Sequence, residues 1–468
     1  MKIRVKKTRI VLLAAVLLLV GLPPVFGMLT EAAVLRRAES LRDEGRLRVT
    51  VESFDRGWFT SQAVLSIEPD PAGDPRQALI GFVEPMTVVV DFKHGPLSVH
   101  DGLFFGFSEL RARPAVGPSG EPIDAPFDFE FRAQSTFGGS VNFAAEIQPF
   151  DSAGEGFALS FSGGSLHGTL AGARVRAVLR TEALQYTQGT TTYSLLGLRA
   201  NADTERVGDR VMPGTVTLEI DRMAMDVGDA DRSTVFDLRA LAVDSSTALD
   251  GSREHLGGRL SIVLGRLRLA DDTEIAGARL HATAERLDVA ALDAYSAAAA
   301  RAAENGAPLA DEVEPAVLRL LAAGPRASID ALHFEVDGEP FDAVVRAAAD
   351  PAALPAGAAD IRDPALWAAV LDGRAEVTVA KSLAENAAVA IAKSQLGSRV
   401  RDGESMPGRS LEALARTQAQ LALAVLSAQG LLEETGNVYR TVVQLEDGRL
   451  SVNDRSVPFI DVLGSLAR

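Results

Sequence analysis

Apolar and polar residues alternate along two runs that meet inside residues 50–67, TVESFDRGWFTSQAVLSI. Val49 and Val51 alternate with Arg48, Thr50 and Glu52; beyond the break, Phe59, Ala63, Leu65 and Ile67 sit among polar partners. A period of two marks a half-buried strand, so the stretch predicts a hairpin. Asp55-Arg56-Gly57 fits a short turn in which Gly57 takes the left-handed conformation that other residues reach only with strain. Trp58 and Phe59 are then expected on opposite faces, with Trp58 an aromatic plug at the turn; ligand stacking or a place at a membrane interface is the alternative.

From Ala78 to Ala290 short alternating runs continue, broken by Gly, Asp, Asn and Pro, as in MTVVVDFKHGPLSV and SLHGTLAGARVRAVL. One pattern recurs: two alternating apolar residues, a two-residue spacer, then two more. It occurs at Leu218, Ile220, Met223, Met225; at Phe236, Leu238, Leu241, Val243; at Ile262, Leu264, Leu267, Leu269; at Ala282, Ala284, Leu287, Val289; and at Ala327, Ile329, Leu332, Phe334. Its frequency does not exceed chance, but its spacers are often charged: Asp221-Arg222, Gly265-Arg266, Glu285-Arg286. A strand whose apolar parity flips turns its second half to the other face, which requires a bulge, a strong twist or a change of sheet. The expectation is long, strongly bent antiparallel strands.

The second half changes character. VAALDAYSAAAARAAENG and LADEVEPAVLRLLAAG read as Ala-rich helices ending at glycines. Asp337-Gly338 marks a hairpin turn, DPALWAAVLDG a short helix with Pro364 near its start, and RAEVTV a strand. KSLAENAAVAIAKSQ and GRSLEALARTQAQLALAVLSAQG follow as helices before a closing hairpin. The fold class is therefore mainly β with an α+β C-terminal half: an N-terminal transmembrane helix, long curved antiparallel sheets, and Ala-rich helices packed on a sheet.

The transmembrane reading comes from the first thirty residues. Lys2, Arg4, Lys6, Lys7 and Arg9 precede Ile10 to Leu29, twenty residues without a charge. At about 1.5 Å per residue a helix of that length spans roughly 30 Å, the thickness of a hydrocarbon core. The whole chain has 47 basic and 63 acidic residues, a net charge of −16. Basic residues before the span and an acidic bulk after it satisfy the positive-inside rule, with the amino terminus cytoplasmic and everything from Thr30 onward outside. A cleaved signal peptide is the competing reading, with Val25-Phe26-Gly27 as the cleavage site; the lack of an A-x-A-like site and the direct run into TEAAVLRRAESLRDEG favour an uncleaved anchor. The organisation expected is 1–29 basic tail and anchor, 30–46 linker helix, 47–290 antiparallel β domain and 291–468 α+β domain ending in a hairpin.

The acidic balance disfavours nucleic acid as a partner. The chain has no cysteine, which removes disulfides, thiolate metal sites and a cysteine nucleophile. The six histidines are dispersed, without H-E-x-x-H or other ligand spacing, and there is no phosphate-cradling G-x-x-x-x-G-K-[ST]. Ser165 and His167 in GGSLHG share a strand face, yet no G-x-S-x-G elbow surrounds them, and a polar strand face is the better reading. No catalytic residue, cofactor or metal ligand is expected.

Three passages resemble the YdgA-like family of bacterial envelope proteins of undetermined function. FDRGWFTSQA is similar to its Tyr/Phe-x-Arg-Gly-x-Phe-x-Ser signature, KHGPL to its His-Gly-Pro turn, and YRTVVQLEDGRLSVNDRSVPF to its ending, where Asn453 is followed by Asp454 in place of the family's glycine. The motif positions are Arg56, Gly57, Trp58, Phe59, Ser61, His94, Gly95, Pro96, Tyr439, Gly448 and Asn453. The resemblance implies an inner-membrane anchor with a large periplasmic part and brings no catalytic residues. The expected function is a non-enzymatic, membrane-anchored envelope scaffold or adaptor meeting other envelope proteins, with self-association left open. The alternative is a carrier of lipid or another hydrophobic ligand in a β groove.

Overall fold

A computed structural model describes residues 47–57, 59–69, 86–94, 97–98, 104–115, 127–154, 156–208, 210–228, 233–305, 308–355, 360–400 and 408–457. The expected anchor and linker helix lie outside these residues. Among the described residues no helix is long and apolar enough to cross a membrane. The chain divides into two compact units, between Asp203 and Thr204.

Among the described residues, the regular structure of unit one is all strand. The expected hairpin forms from β1 (Leu47–Arg56) and β2 (Thr60–Pro69), with a bulge between Val51 and Ser53. Next come β3 (Met86–His94), a two-residue ladder of β4 (Leu97–Ser98) with β5 (Phe104–Phe105), β6 (Ser108–Pro114), β7 (Phe129–Ser135) and β8 (Ser140–Ile147). β9 (Phe150–Gly154), β10 (Phe157–Phe161), β11 (Gly164–Ala171), β12 (Arg174–Gln188) and β13 (Thr191–Glu205) complete it, the last reaching across the unit boundary. The order β1-β2-β3-β6-β7-β8-β11-β12 is antiparallel throughout, and β10 pairs with both β9 and the far end of β12.

β3 shows why this sheet holds. In MTVVVDFKH every second residue is buried, from Met86 to His94, while Thr87, Val89, Asp91 and Lys93 remain partly exposed. Met86, Val88, Val90, Phe92 and Ala63 form a core joined by Phe54, Leu65, Ile67, Leu110, Ala112 and Phe129. Burying a Val, Phe or Met contributes about 1.5–3 kcal/mol each, so this cluster fixes the register of β1, β2, β3 and β6.

Unit two is a meander of β14 (Gly214–Val227), β15 (Ser233–Leu249), β16 (His255–Leu269), β17 (Glu274–Asp288), β18 (Arg326–Val336), β19 (Glu339–Ala349) and β20 (Leu371–Ala380). β21 (Glu433–Thr435) and β22 (Val438–Glu446) follow, β22 pairing with β20, then β23 (Arg449–Val452) and β24 (Arg455–Val457). The helices are α1 (Val289–Asn305), α2 (Leu309–Ala322), α3 (Pro364–Val370), α4 (Lys381–Val400) and α5 (Gly408–Ala428), close to the stretches the sequence predicts. α3 begins as expected: Pro364 opens it, and the Asp363 side chain accepts a hydrogen bond from Ala365 N at 2.8 Å.

The helices gather at strand ends. One cluster joins Leu321, Leu366 and Val370 to Ala349 and Leu371; another joins Val289 and Leu292 to Leu249, Leu256 and Leu287. Every strand residue in that set lies at, or one residue from, an end of β15, β16, β17, β19 or β20. α4 leaves directly from the end of β20, and α5 packs on α4.

The parity flip expected to turn half of each strand over is absorbed instead. Ile220 pairs with Leu241 and Arg222 with Arg239; Leu241 pairs with Leu264 and Arg239 with Arg266; Leu264 pairs with Ala278 and Arg266 with Ala276. Asp221, Ala240, Gly265 and Gly277 therefore fall in one row across four strands. Ala240 and Gly277 have φ of 54° and 60°. A Cβ on Gly265 would lie 3.0 Å from that of Ala240. An extra residue at the same level in each of β14 to β17 preserves register among these four strands, the shift at that level falling between β17 and β18, and keeps both apolar halves on one face. Along β15, Phe236, Leu238, Leu241 and Val243 are all partly buried, whereas Arg239, Ala240 and Asp244 are exposed. Arg286, at φ 59° beside a register shift, does the same for Ala282, Ala284 and Leu287 in β17.

A β-branched residue cannot adopt the Ala240 conformation without strain. Ala240→Val, a change that favours strands elsewhere, is expected to destabilise unit two by about 1–3 kcal/mol through that strain, and Ala240→Gly to be near neutral. Urea unfolding of the two variants checks both.

Candidate functional site

Of the motif residues, Trp58, Gly95 and Pro96 lie outside the described set. Gly57 is described, and its role differs from the expected one. Its φ is not left-handed; its N–H donates to Thr60 O at 2.8 Å, and a Cβ there would lie 2.7 Å from the same oxygen. Close backbone approach, not handedness, demands glycine at 57. Phe59 is half exposed, its carbonyl accepting the His94 N–H at 2.7 Å. Arg56 stands opposite Ser61 in the β1–β2 register.

That geometry brings two separate motifs together. Ser61 Oγ lies 2.9 Å from His94 Nε2, with Ser61 4% and His94 3% exposed. The Phe92 ring lies parallel to the imidazole, with centroids 6.4 Å apart. His94 Nδ1 is buried and has no partner. If Nδ1 carried the proton, a buried N–H would be orphaned, which costs more than leaving a bare lone pair. The favoured tautomer therefore has Nε2–H donating to Ser61 Oγ. In that state the imidazole cannot take the serine proton, and no carboxylate stands at Nδ1 to orient it. Burial lowers the His94 pKa from its ordinary 6.5. The pair is a neutral latch between β2 and β3, not an activated nucleophile.

The closing motif is also structural. Tyr439 is buried beneath the Lys381 ammonium, 5.5 Å from the ring centroid, and that ammonium pairs with Glu434 at 2.8 Å. Asp447 and Gly448, at φ 50° and 73°, make the β22–β23 turn; Asn453 and Asp454, at 46° and 63°, make the next one. Asp454 thus takes a left-handed conformation. Asn453 Oδ1 accepts from Val442 N at 2.7 Å, and its Nδ2 donates to Gly430 O at 3.0 Å, tying the last turn to the residues that end α5.

Ser165 and His167 sit on β11, opposite Arg180 and Val178, and no hydrogen bond joins them. His333 meets Asp342 at 2.8 Å, and His255 meets Asp250 at 3.1 Å. A hydrogen bond from Ser252, then those from His255, lowers the Asp250 pKa to about 2. No group of three His, Asp or Glu able to hold a metal occurs among the described residues.

The feature with the most functional content is an apolar face on unit two. Register stacks Leu218, Val243, Ile262, Leu280 and Leu332 in one row across β14 to β18, and Ile220, Leu241, Leu264 and Ala278 in the next. Beyond the level of Ala240 come Met223, Leu238, Leu267, Ile275 and Val336, then Met225, Phe236 and Leu269. None of these side chains is buried; Leu269 is 36% exposed. The helices α1, α2 and α3 dock at the strand ends.

The reverse face is polar. Asp237, 7% exposed, takes Arg222 Nε at 2.6 Å and Arg239 Nη2 at 2.7 Å. Burial alone would raise its pKa, but the arginine hydrogen bonds outweigh burial and hold it below the ordinary carboxylate value. Arg222, Arg239 and Arg266 are direct cross-strand neighbours, an arrangement that repels unless neutralised. Asp237 serves the first two, and Glu274 takes Arg266 at 3.3 Å. Sequence periodicity found the strands of all five windows, the fourth running one residue into α1, but missed their alignment; counting the spacer pair outward from each hairpin turn would have shown it.

Residues 5–459 match the family described as "Bacterial protein of unknown function (DUF945)". No curated protein and no solved structure matches the chain.

Two substitutions test the latches. Because the unfolded chain binds a proton near pH 6.5 that native His94 resists, stability is flat above that pH and falls below it, by up to about 1.4 kcal/mol per pH unit until the lowered folded-state pKa is reached. In His94→Gln this component of the acid-side slope is expected to vanish, as read from urea midpoints between about pH 8 and 5, on either side of the ordinary histidine pKa. Asn453→Ala leaves Val442 N–H and Gly430 C=O without their side-chain partner and is expected to lower unfolding free energy by about 1–3 kcal/mol.

Proposed function

We propose that this chain, which belongs to the family of bacterial proteins of unknown function reported above, is a membrane-tethered, non-enzymatic protein of the cell envelope whose second unit shelters a hydrophobic ligand. The observation that carries the reading is the set of in-register apolar rows on β14 to β18, with no side chain fully buried. A sheet built only for stability would pack those rows against a helix or a second sheet. Contiguous, partly exposed apolar surface of this kind marks a binding site.

Three further points support the tether and the absence of chemistry. The uncharged run Ile10 to Leu29 behind five basic residues has the length and polarity of an anchor. The motifs resemble the YdgA-like family, for which that topology is implied. The best-placed serine and histidine form a neutral, buried latch.

A scaffold or adaptor role is the second reading, favoured by α5. Leu414, Leu421 and Val425 follow one another along that helix at 43%, 65% and 43% exposure, while Ala415 and Ala419 are buried. Such a stripe suits another helix.

Residues 30–468, expressed and purified without detergent, are expected to carry co-purified lipid in native mass spectrometry and to bind a fluorescent fatty acid. An empty protein that binds none would remove the ligand reading and leave the scaffold.

A further inference from the structure

We infer that the ligand is a hydrocarbon chain of a membrane lipid, lying across the strands of β14 to β18 along the rows that flank Ala240. The inference rests on the hydrophobic-ligand reading above and names the occupant and its direction.

The first argument is hydrogen bonding. Along these rows the backbones of β15, β16 and β17 are paired on both sides, so their N–H and C=O groups are committed to the ladders. The side chains of the four rows are Leu, Ile, Val, Met, Ala and Phe, which offer no strong donor or acceptor. An extended polypeptide laid there would bury peptide groups with nothing to bond, each unpaired group costing about 1–3 kcal/mol. A hydrocarbon chain has no such groups.

The second argument is dimension and direction. Neighbouring strands are about 4.8 Å apart, so five strands span roughly 19 Å. Half of a hydrocarbon core of about 30 Å is roughly 15 Å, the share of one lipid chain. The rows through Leu218 and through Met223 run unbroken across all five strands, from β14 to β18. The extra residue in β14 to β17, at the level of Asp221, Ala240, Gly265 and Gly277, bends the sheet between the two pairs of rows.

The third argument is supply. A protein tethered through Ile10 to Leu29 has bilayer lipid as its nearest source of hydrocarbon.

The chain contains no cysteine, so single-cysteine labelling of the full-length protein is clean. Met223→Cys and Leu264→Cys report from opposite sides of the Ala240 level, and Val263→Cys, 36% exposed, reports from the reverse face. Each is labelled with bimane and reconstituted into phosphatidylethanolamine and phosphatidylglycerol vesicles. The vesicles contain a phospholipid with a nitroxide either deep in its acyl chain or on its headgroup. The acyl-chain nitroxide is expected to remove more than half of the fluorescence at 223 and 264 and little at 263, and the headgroup nitroxide to quench 223 and 264 less. Equal quenching on both faces would overturn the inference, as would lipid that co-purifies without quenching either row position. In both cases the broader ligand reading survives. Protection of 223 and 264 from labelling by a co-purifying polypeptide, with no quenching, would assign the face to a protein partner instead. Circular dichroism of each variant verifies folding, and the two row positions, on separate strands, serve as replicates.

Discussion

Everything distinctive about the second unit depends on one backbone constraint: neighbouring strands each accommodate an extra residue at the same level. A single bulge in one strand shifts register against its neighbours. Four at one level shift nothing among β14 to β17, so Ile220 still meets Leu241, and Leu241 still meets Leu264, and the shift is deferred to the pairing of β17 with β18. The conformational strain is carried by Ala240 and eased by glycine at 265 and 277. The return is that leucine, isoleucine and methionine on both sides of the level share a face. Without it, Phe236 and Leu238 would oppose Leu241 and Val243, and neither face would be apolar enough to bind anything.

The two units use apolar residues differently. In unit one, the alternation of β3 delivers Met86, Val88, Val90 and Phe92 into a core in which Ala63 is fully buried. In unit two, the equivalent residues stay partly exposed while helices close the strand ends through Leu321, Val289 and Val370. Capping the ends protects the sheet without filling its face. The paired charges around Asp237 then fix which face is wet. A hydrophobic ligand of the kind proposed would complete the burial that the fold leaves undone.

Much of the architecture was legible in the residues. The hairpin turn at Asp337-Gly338, the helix opening at Asp363-Pro364, and the alternation of β3 follow from local chemistry that operates within a few residues. What was not legible required distant residues to meet. Gly57 reads as a left-handed turn glycine from its neighbours alone, yet Thr60 O decides its role. Ser61 and His94 are 33 positions apart, and nothing local to either announces the other. The apolar windows were visible singly, but their meaning as one face appears only when register aligns the spacers. A parity change read strand by strand predicts two faces; read across the sheet it gives one.

The most direct measurement of this account is a nitroxide scan of β15 from Val235 to Asp244, recording collision with a water-soluble paramagnetic reagent at each position. Protection is expected at 236, 238, 241 and 243, a period of two that skips one residue at Ala240, with the buried position 237 protected on the reverse face as well. Unbroken alternation through 236, 238, 240 and 242 would place the two halves on opposite faces and contradict it.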